Sequence, residues 1–178
     1  MDSDRTISLS APSADITLRH GVGARSWSTE FNDLTLSLAS SGHFALIDAS
    51  ALRLQAVTTL GSASFTATNG DLILTADPAV TGNLTLVSTG NGNVIIPTGG
   101  ISQSAGLTID AHDLFDTDRT VNLTAANATI TLRNNASAHT LISSLDSLSL
   151  ALSGAGAFNL TDSDGLTLDA ASSGGDVA

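Results

Sequence analysis

One stretch, DAHDLFDTDR, concentrates titratable side chains within this 178-residue sequence. It holds Asp110, His112, Asp113, Asp116, Asp118 and Arg119. Several carboxylates and an imidazole in one loop could ligate Ca²⁺ or another cation, because hard cations take oxygen ligands. The same residues also describe a solvated acidic turn. We favour the turn and predict no metal site in this stretch.

A second acidic turn, TDSDG, contains Asp162, Asp164 and Gly165. It resembles the opening of a calcium loop but lacks the later Glu that an EF-hand needs. Its counterpart earlier in the chain is IDASA, which retains only Asp48. A site repeated along the molecule would have kept both acids, so we predict no metal here either.

The remaining reactive residues are scattered and do not indicate catalysis. The histidines are His20, His43, His112 and His139. None has the spacing of a metal ligand set, so we predict that they lie on the surface or in turns. The glycine-rich GVGARS at Gly21 does not precede a helical pattern, so it does not predict a phosphate loop. The sequence also lacks Lys, Tyr, Cys and long insertions that could build a cleft. We therefore predict no enzyme, no catalytic or cofactor-binding residues and no cofactor.

Asparagine and threonine suggest two further surface roles. Five asparagines begin an N-x-Ser/Thr sequence: Asn83, Asn122, Asn127, Asn135 and Asn159. Such matches arise freely in a chain this rich in Ser, Thr and Asn. Outward threonines are predicted once per strand at Thr17, Thr35, Thr85, Thr131 and Thr167. An ice-binding face would need paired threonines on a flat sheet, so ice binding is only an alternative.

Composition limits the classes of partner and the kind of core. The net charge is -11 and all six basic residues are Arg, so there is no basic patch that could displace counterions from nucleic acid. No apolar run approaches the roughly 20 residues that cross a bilayer, so no membrane insertion is predicted. Apolar residues make up 42% but aromatic residues only 3%. These values predict a folded chain with a thin, mainly aliphatic core.

The elements that must position these residues follow from an internal repeat. DSDRTISLSAPSADITLR begins at Asp2, and DTDRTVNLTAANATITLR begins 114 residues later at Asp116. We read residues 2–115 as one long unit of about six coils and 116–178 as a partial second unit. Met1 stands where the second copy has Phe115. We therefore expect the sequence to begin inside a longer protein, with any export signal upstream.

A shorter period lies inside the long unit. Apolar–polar–apolar triplets such as ITL, LTL and LRL recur every 18 to 22 residues, and this alternation is typical of strands with one buried face. One series of inward positions is Leu18, Leu36, Leu54, Leu74, Ile96, Leu114, Leu132, Leu150 and Leu168. A second is Leu9, Trp27, Leu46, Phe65, Leu86, Ile109, Leu123, Leu141 and Leu160. The two series predict two main strands per coil and almost no helix.

Two all-β architectures fit short strands at this spacing. An antiparallel sandwich, as in tandem immunoglobulin-like domains, is one of them. The constant step and aliphatic core instead favour a parallel β-helix, or β-solenoid. We predict one solenoid over residues 1–178 with about nine coils of 18–22 residues. It is right-handed, because the motifs of left-handed hexapeptide helices and calcium β-rolls are absent.

The segments GDLILTA and GNLTLVSTGNG, at Gly70 and Gly82, resemble the repeat regions of filamentous-haemagglutinin-like exoproteins. These are large adhesins of Gram-negative bacteria, secreted through a dedicated outer-membrane partner. The resemblance implies a non-catalytic shaft in a surface or biofilm-matrix protein, located outside the cell or on its surface. Its receptor, on a host cell, a matrix or a polysaccharide, is unknown. The alternative is a polysaccharide-binding or ice-binding module, and exposed strand edges predict head-to-tail self-association through the solenoid ends.

Overall fold

Short strands joined by tight turns fill the computed structural model, which describes residues 6–19, 25–39, 41–115, 120–134 and 138–178. Within these ranges there are sixteen strands and no helix, so none that could cross a bilayer. In chain order they are β1 Thr6–Leu18, β2 Arg25–Leu38, β3 Phe44–Asp48, β4 Leu52–Thr59, β5 Ala63–Ala67, β6 Leu72–Leu74, β7 Ala79–Val80, β8 Leu84–Ser88, β9 Val94–Ile95, β10 Ile101–Ser102, β11 Gly106–Ala111, β12 Leu114–Phe115, β13 Thr120–Leu132, β14 His139–Leu152, β15 Phe158–Asp162 and β16 Thr167–Ser172. The all-β prediction is confirmed.

Alternation in the sequence decides which side chains point inward. In β5, which reads ASFTA, Ala63, Phe65 and Ala67 are buried while the residues between them are half-exposed. β6 and β8 follow the same rule. Successive residues of a strand point to opposite faces, so a period of two places one apolar row inside.

All pairings between the described strands are parallel, and they join every strand into one sheet. This arrangement excludes the antiparallel sandwich and the tandem immunoglobulin-like domains that the sequence left open. Parallel neighbours that follow one another in sequence must be connected by a full circuit of the chain. The chain is therefore a β-solenoid, as predicted.

One stack of strands, which we call ladder A, runs the length of the molecule. Its paired positions, one above the next, are Ile7, Trp27, Leu46, Phe65, Leu86, Ile109, Ile130 and Leu150. The seven from Trp27 onward are buried. Seven steps lead from Ile7 to Leu150, so the solenoid has about seven turns. The predicted nine coils were too many, because that count treated every apolar triplet as a separate winding.

Two further ladders complete each winding. Ladder B pairs Leu34 with Leu54 and Leu54 with Leu74, and continues through β9 to β12. Ladder C contains the end of β4 with β7, and then β10, the first halves of β13 and β14, and β15. A single circuit thus runs through β5, β6 and β7 before β8 returns to ladder A. The prediction of two main strands per coil was wrong, since the winding has three sides.

The long repeat is not a whole number of turns. Trp27 and Leu141 are 114 residues apart and equivalent in the repeat, but Trp27 lies on ladder A and Leu141 on ladder C. Five steps along ladder A lead from Trp27 to Ile130, and Leu141 lies two sides further along the same winding. The unit therefore spans five and two-thirds turns, and its second copy is rotated by one side of the solenoid.

The lumen is filled mainly by leucine, isoleucine and valine. A short aromatic column adds bulk in the early windings, where Trp27 meets Phe44 edge-on at 5.5 Å and Phe44 meets Phe65 at 6.1 Å between ring centroids. Fully burying one Leu or Phe side chain contributes about 1.5–3 kcal/mol. Stacked windings therefore stabilise one another mainly through this continuous apolar interior.

Candidate functional site

The acidic stretch near residue 110 does not form one ligand cluster. Asp110 points outward on ladder A and forms an ion pair with Arg133 of the next winding. Arg133 also donates a hydrogen bond to the carbonyl oxygen of Ser88, two windings below its own. The Asp110 carboxylate thus already has a cationic partner between windings. Asp116, Asp118 and Arg119 lie outside the described residues.

Asp113 points the other way, into the lumen. Its Oδ1 lies 2.8 Å from Nε2 of His139, and the two side chains are only 6% and 2% exposed. Oδ1 also accepts the backbone N–H of Leu114 at 2.9 Å, and the His139 ring lies against Phe158. Solvent and substrates cannot reach a pair that is so deeply buried. We therefore assign it to packing between windings and not to acid–base catalysis.

The predicted calcium-like turn has a structural role. Asp162 Oδ2 accepts hydrogen bonds from Ser143 Oγ at 2.5 Å and from the Leu145 N–H at 3.1 Å. Its Oδ1 accepts the N–H groups of Asp164 and Gly165 at 3.2 and 3.1 Å. The carboxylate therefore already accepts four hydrogen bonds from the protein. No three His, Cys, Asp or Glu residues of the described ranges are grouped so that they could hold a metal ion.

Asp48 makes the same arrangement in the first copy. Its Oδ2 accepts Thr29 Oγ1 at 2.6 Å and the Phe31 N–H at 2.7 Å. Its Oδ1 accepts the N–H and the hydroxyl of Ser50 at 2.9 and 2.8 Å. β2 turns a corner near Phe31, and there the Asp48 carboxylate accepts the backbone N–H that a carbonyl oxygen would accept within a regular ladder. We call these two arrangements the Asp corners.

Hydrogen bonding sets the charge state of the second Asp corner. Burial by itself raises the pKa of Asp162, but the bonds from Ser143, Gly165 and Asp164 outweigh burial, and this pKa lies well below its ordinary value. Asp77 shows the reverse balance. Partial burial raises the pKa of Asp77, and the N–H of Ser102 lowers it by less. Asp162 is thus firmly ionised at neutral pH.

The other predicted surface residues are dispersed. His43 is exposed and His112 half-buried, while His20 lies outside the described residues. Among the asparagines, Asn83 Oδ1 accepts the Gly106 N–H at 3.0 Å and Asn159 is exposed, whereas Asn135 is outside the described ranges. The threonines are outside the core as predicted, but only Thr85, Thr131 and Thr167 lie on ladder A, whereas Thr17 and Thr35 lie on other sides of the solenoid. They do not form one face.

Two adjoining hollows lie at the corner between ladders A and B. One has a volume of about 340 Å³ and is lined by Ala51, Thr68, Asn69, Gly70, Asp71, Thr89, Gly90, Asn91 and Gly92. The other has a volume of about 230 Å³ and is lined by Asn32, Asp33, Ala51, Leu52, Arg53 and Ile73. Ala51 lines both. We call the combined feature the corner groove, and its lining is polar at the rim and small at the base.

The sequence identified these residues only as turns. TNGD and STGNGN are rich in residues that accept tight backbone geometry, which predicts turns and nothing more. A groove appears only when turns about 20 residues apart are stacked. The sequence of a single turn does not indicate which other turn stacks on it.

Comparison with known protein families, curated proteins and solved structures found no match to this chain. The resemblance to filamentous-haemagglutinin-like exoproteins therefore stays a prediction.

Proposed function

We propose that this chain is a structural and adhesive shaft segment of a secreted bacterial surface or biofilm-matrix protein, without catalytic activity. The observation that carries the proposal is the uninterrupted pairing of ladder A from β1 to β16. Backbone hydrogen bonds between parallel strands run along the solenoid axis, which is the direction of load in a shaft. Secretion, adhesion and bacterial origin rest on the sequence resemblance.

Wide contacts between windings favour this mechanical role. β1 pairs with β2 over twelve residue pairs, and β13 pairs with β14 over another twelve. In each case the pairing extends over two sides of the winding. Tension would therefore be shared by many hydrogen bonds at once, and would not open them one at a time.

Side chains add ties between windings. The Asp corners join β2 to the turn after β3, and β14 to the turn after β15. Arg133 connects three successive windings through Asp110 and Ser88. Hydrogen bonds to a charged group contribute about 1.5–3 kcal/mol each. Such ties resist peeling of one winding from the next.

Single-molecule pulling between the two ends of the chain tests the proposal. We expect stepwise extension, in which each step releases one winding. Windings such as Trp27 to Leu46 and Leu86 to Ile109 contain 19 and 23 residues, so each step should add about 65–80 Å of chain. Smooth extension without steps, as for an unstructured polymer, would contradict a load-bearing shaft.

A further inference from the structure

The corner groove follows the solenoid axis across four windings. Its lining comes from the turns near Asn32, Ala51, Asn69 and Asn91, one from each successive winding. Neighbouring strands lie about 4.8 Å apart, so these turns span about 14 Å. An extended chain molecule lying along the axis would contact all four turns.

Hydrogen-bonding groups remain available along the groove. Asp71 Oδ1 accepts the Asn93 N–H and side-chain amide at 2.8 and 3.1 Å, whereas Oδ2 has no hydrogen bond within the described ranges. The side-chain amides of Asn32 and Asn91 likewise form none with described residues, and the Asn69 amide uses only Nδ2, toward Ala49 O at 3.0 Å. An ionised carboxylate accepts hydrogen bonds from sugar hydroxyl groups, and a side-chain amide can both donate to them and accept from them.

Small residues at the base of the groove let its turns pack closely on one another. A Cβ atom on Gly70 would lie 2.8 Å from the Cβ of Ala51, and one on Gly92 would lie 2.1 Å from the Gly70 carbonyl oxygen. Ile73 is half-buried and offers an apolar contact beside them. The groove thus combines polar rims with a narrow apolar floor, as binding sites commonly do.

The residues that line the corner groove are not repeated in the second copy of the long unit. The positions equivalent to Asn32, Asp33, Ala51 and Arg53 in the second copy are Asp146, Ser147, Gly165 and Thr167. The equivalent winding is therefore built with different groups at this corner. The groove residues are free to be specific to the first copy.

Charge selects the class of ligand. Asp33 and Asp71 line the groove, and Arg53, whose Nε lies 4.0 Å from Asp33 Oδ1, is its only cation among the lining residues described. The whole chain carries a net charge of -11. Acidic glycans would be repelled by this charge and ammonium groups attracted, whereas neutral hydroxyl groups would interact through hydrogen bonds alone. We propose that the corner groove binds a linear amino-sugar glycan along the solenoid axis.

Isothermal titration of the 178-residue chain with a β-1,4-linked glucosamine tetramer tests this proposal. We expect saturable binding of one tetramer, and none of a galacturonate tetramer of the same length. Asp71→Asn should weaken binding at least tenfold, because it removes the charge that faces the ammonium groups. Ala51→Arg should abolish binding by filling the junction of the two hollows.

Ala79→Arg is the matched control, since Ala79 is exposed on β7 and lies outside the groove. It should bind like the original chain, and all three variants should melt as the original chain does. Absence of saturable binding, or equal binding by the Ala51→Arg chain, would overturn the proposal. Either result would leave the pulling experiment unaffected, because the shaft function does not depend on the groove.

Discussion

Asp48 and Asp162 occupy the same place in the long repeat, and each accepts four hydrogen bonds, three of them from equivalent residues, although they lie on different ladders. Asp48 ends β3 on ladder A, and Asp162 ends β15 on ladder C. The local sequence therefore specifies how a corner is closed. It does not specify which side of the solenoid the corner occupies.

Replacement of Asp48 should be strongly destabilising. Asp48→Ala removes the acceptor of four hydrogen bonds and leaves the buried Phe31 N–H without a partner, which by itself costs about 1–3 kcal/mol. We expect the free energy of unfolding to fall by about 3 kcal/mol or more in chemical denaturation. Ser50→Ala, which removes only one donor to the same carboxylate, should cost about 1 kcal/mol. Equal effects of the two variants would contradict the assigned role of Asp48.

Acid should lower the stability of the fold by protonating Asp162, the carboxylate of the second Asp corner. The pKa of Asp162 is lower in the folded chain than in the unfolded one, so the unfolded chain binds the proton more readily. The stability that Asp162 contributes is present above the ordinary Asp pKa of about 4, and is lost as the pH falls below it. Melting temperatures of the original chain and of Asp162→Asn, measured between pH 7 and pH 2.5, check this. The difference between them should shrink on acidification, and a constant difference would count against it.

A charged residue should destabilise the fold strongly at an inward position of a strand and only slightly at an outward one. Leu34 and Leu148 are fully buried, so Leu34→Asp or Leu148→Asp places an unpaired carboxylate in the lumen. Each should cost more than about 4 kcal/mol and unfold the neighbouring windings. Thr35→Asp, one residue along, points outward and should change stability by less than about 1 kcal/mol. Thermal melts that do not separate Leu34→Asp from Thr35→Asp would refute the inward assignment.

A side chain added at a glycine that packs against another winding should lower the stability of the fold. At Gly92 a Cβ atom would lie 2.2 Å from Ser88 Oγ as well as against Gly70, so Gly92→Ala forces the turns apart. Overpacking of this kind costs about 1–3 kcal/mol. Gly90 has a φ of 64° but open space around it, so Gly90→Ala should be the milder change. Denaturation midpoints decide the order, and the reverse order would show that the windings are packed less closely.

Strand alternation was sufficient to predict much of the fold. A period of two identifies Leu36, Leu54, Leu86 and Leu150 as inward residues, and all four are buried. The same prediction was wrong for Leu9 and Leu168, which lie in the first and last strands and are exposed. The steady spacing of the triplets favoured parallel stacking, which the pairing confirms. These features are local, because alternation depends only on the direction in which successive side chains of a strand point.

The side of the solenoid on which a residue lies was not predictable. Leu114 and Leu132 look like successive members of one series, but Leu132 rests on Ala111 of ladder A, while Leu114 belongs to ladder B. β13 passes from ladder C to ladder A as one continuous strand, and the only local mark of the corner is that two successive residues, Ala126 and Asn127, both point outward. Which strands pair is decided by the stacking of distant windings.

The Asp113–His139 pair and the corner groove could not be predicted from the sequence for the same reason. Asp113 and His139 are 26 residues apart and meet only because two windings stack, so the sequence placed both in ordinary turns or on the surface. The corner groove likewise joins four turns from different windings. Its residues carry the composition of turns, and composition does not reveal which turns lie above one another.

A disulfide between Thr108→Cys and Thr129→Cys tests the central claim, that the windings form three parallel ladders and the second copy is rotated by one side. These residues pair directly on ladder A, and strand neighbours about 4.8 Å apart can be bridged. The chain has no cysteine of its own. We predict rapid cross-linking of this pair in mild oxidant, while Ala111→Cys with Thr129→Cys stays reduced. Cross-linking of the second pair but not the first would place Leu132 above Leu114 and contradict the rotated repeat.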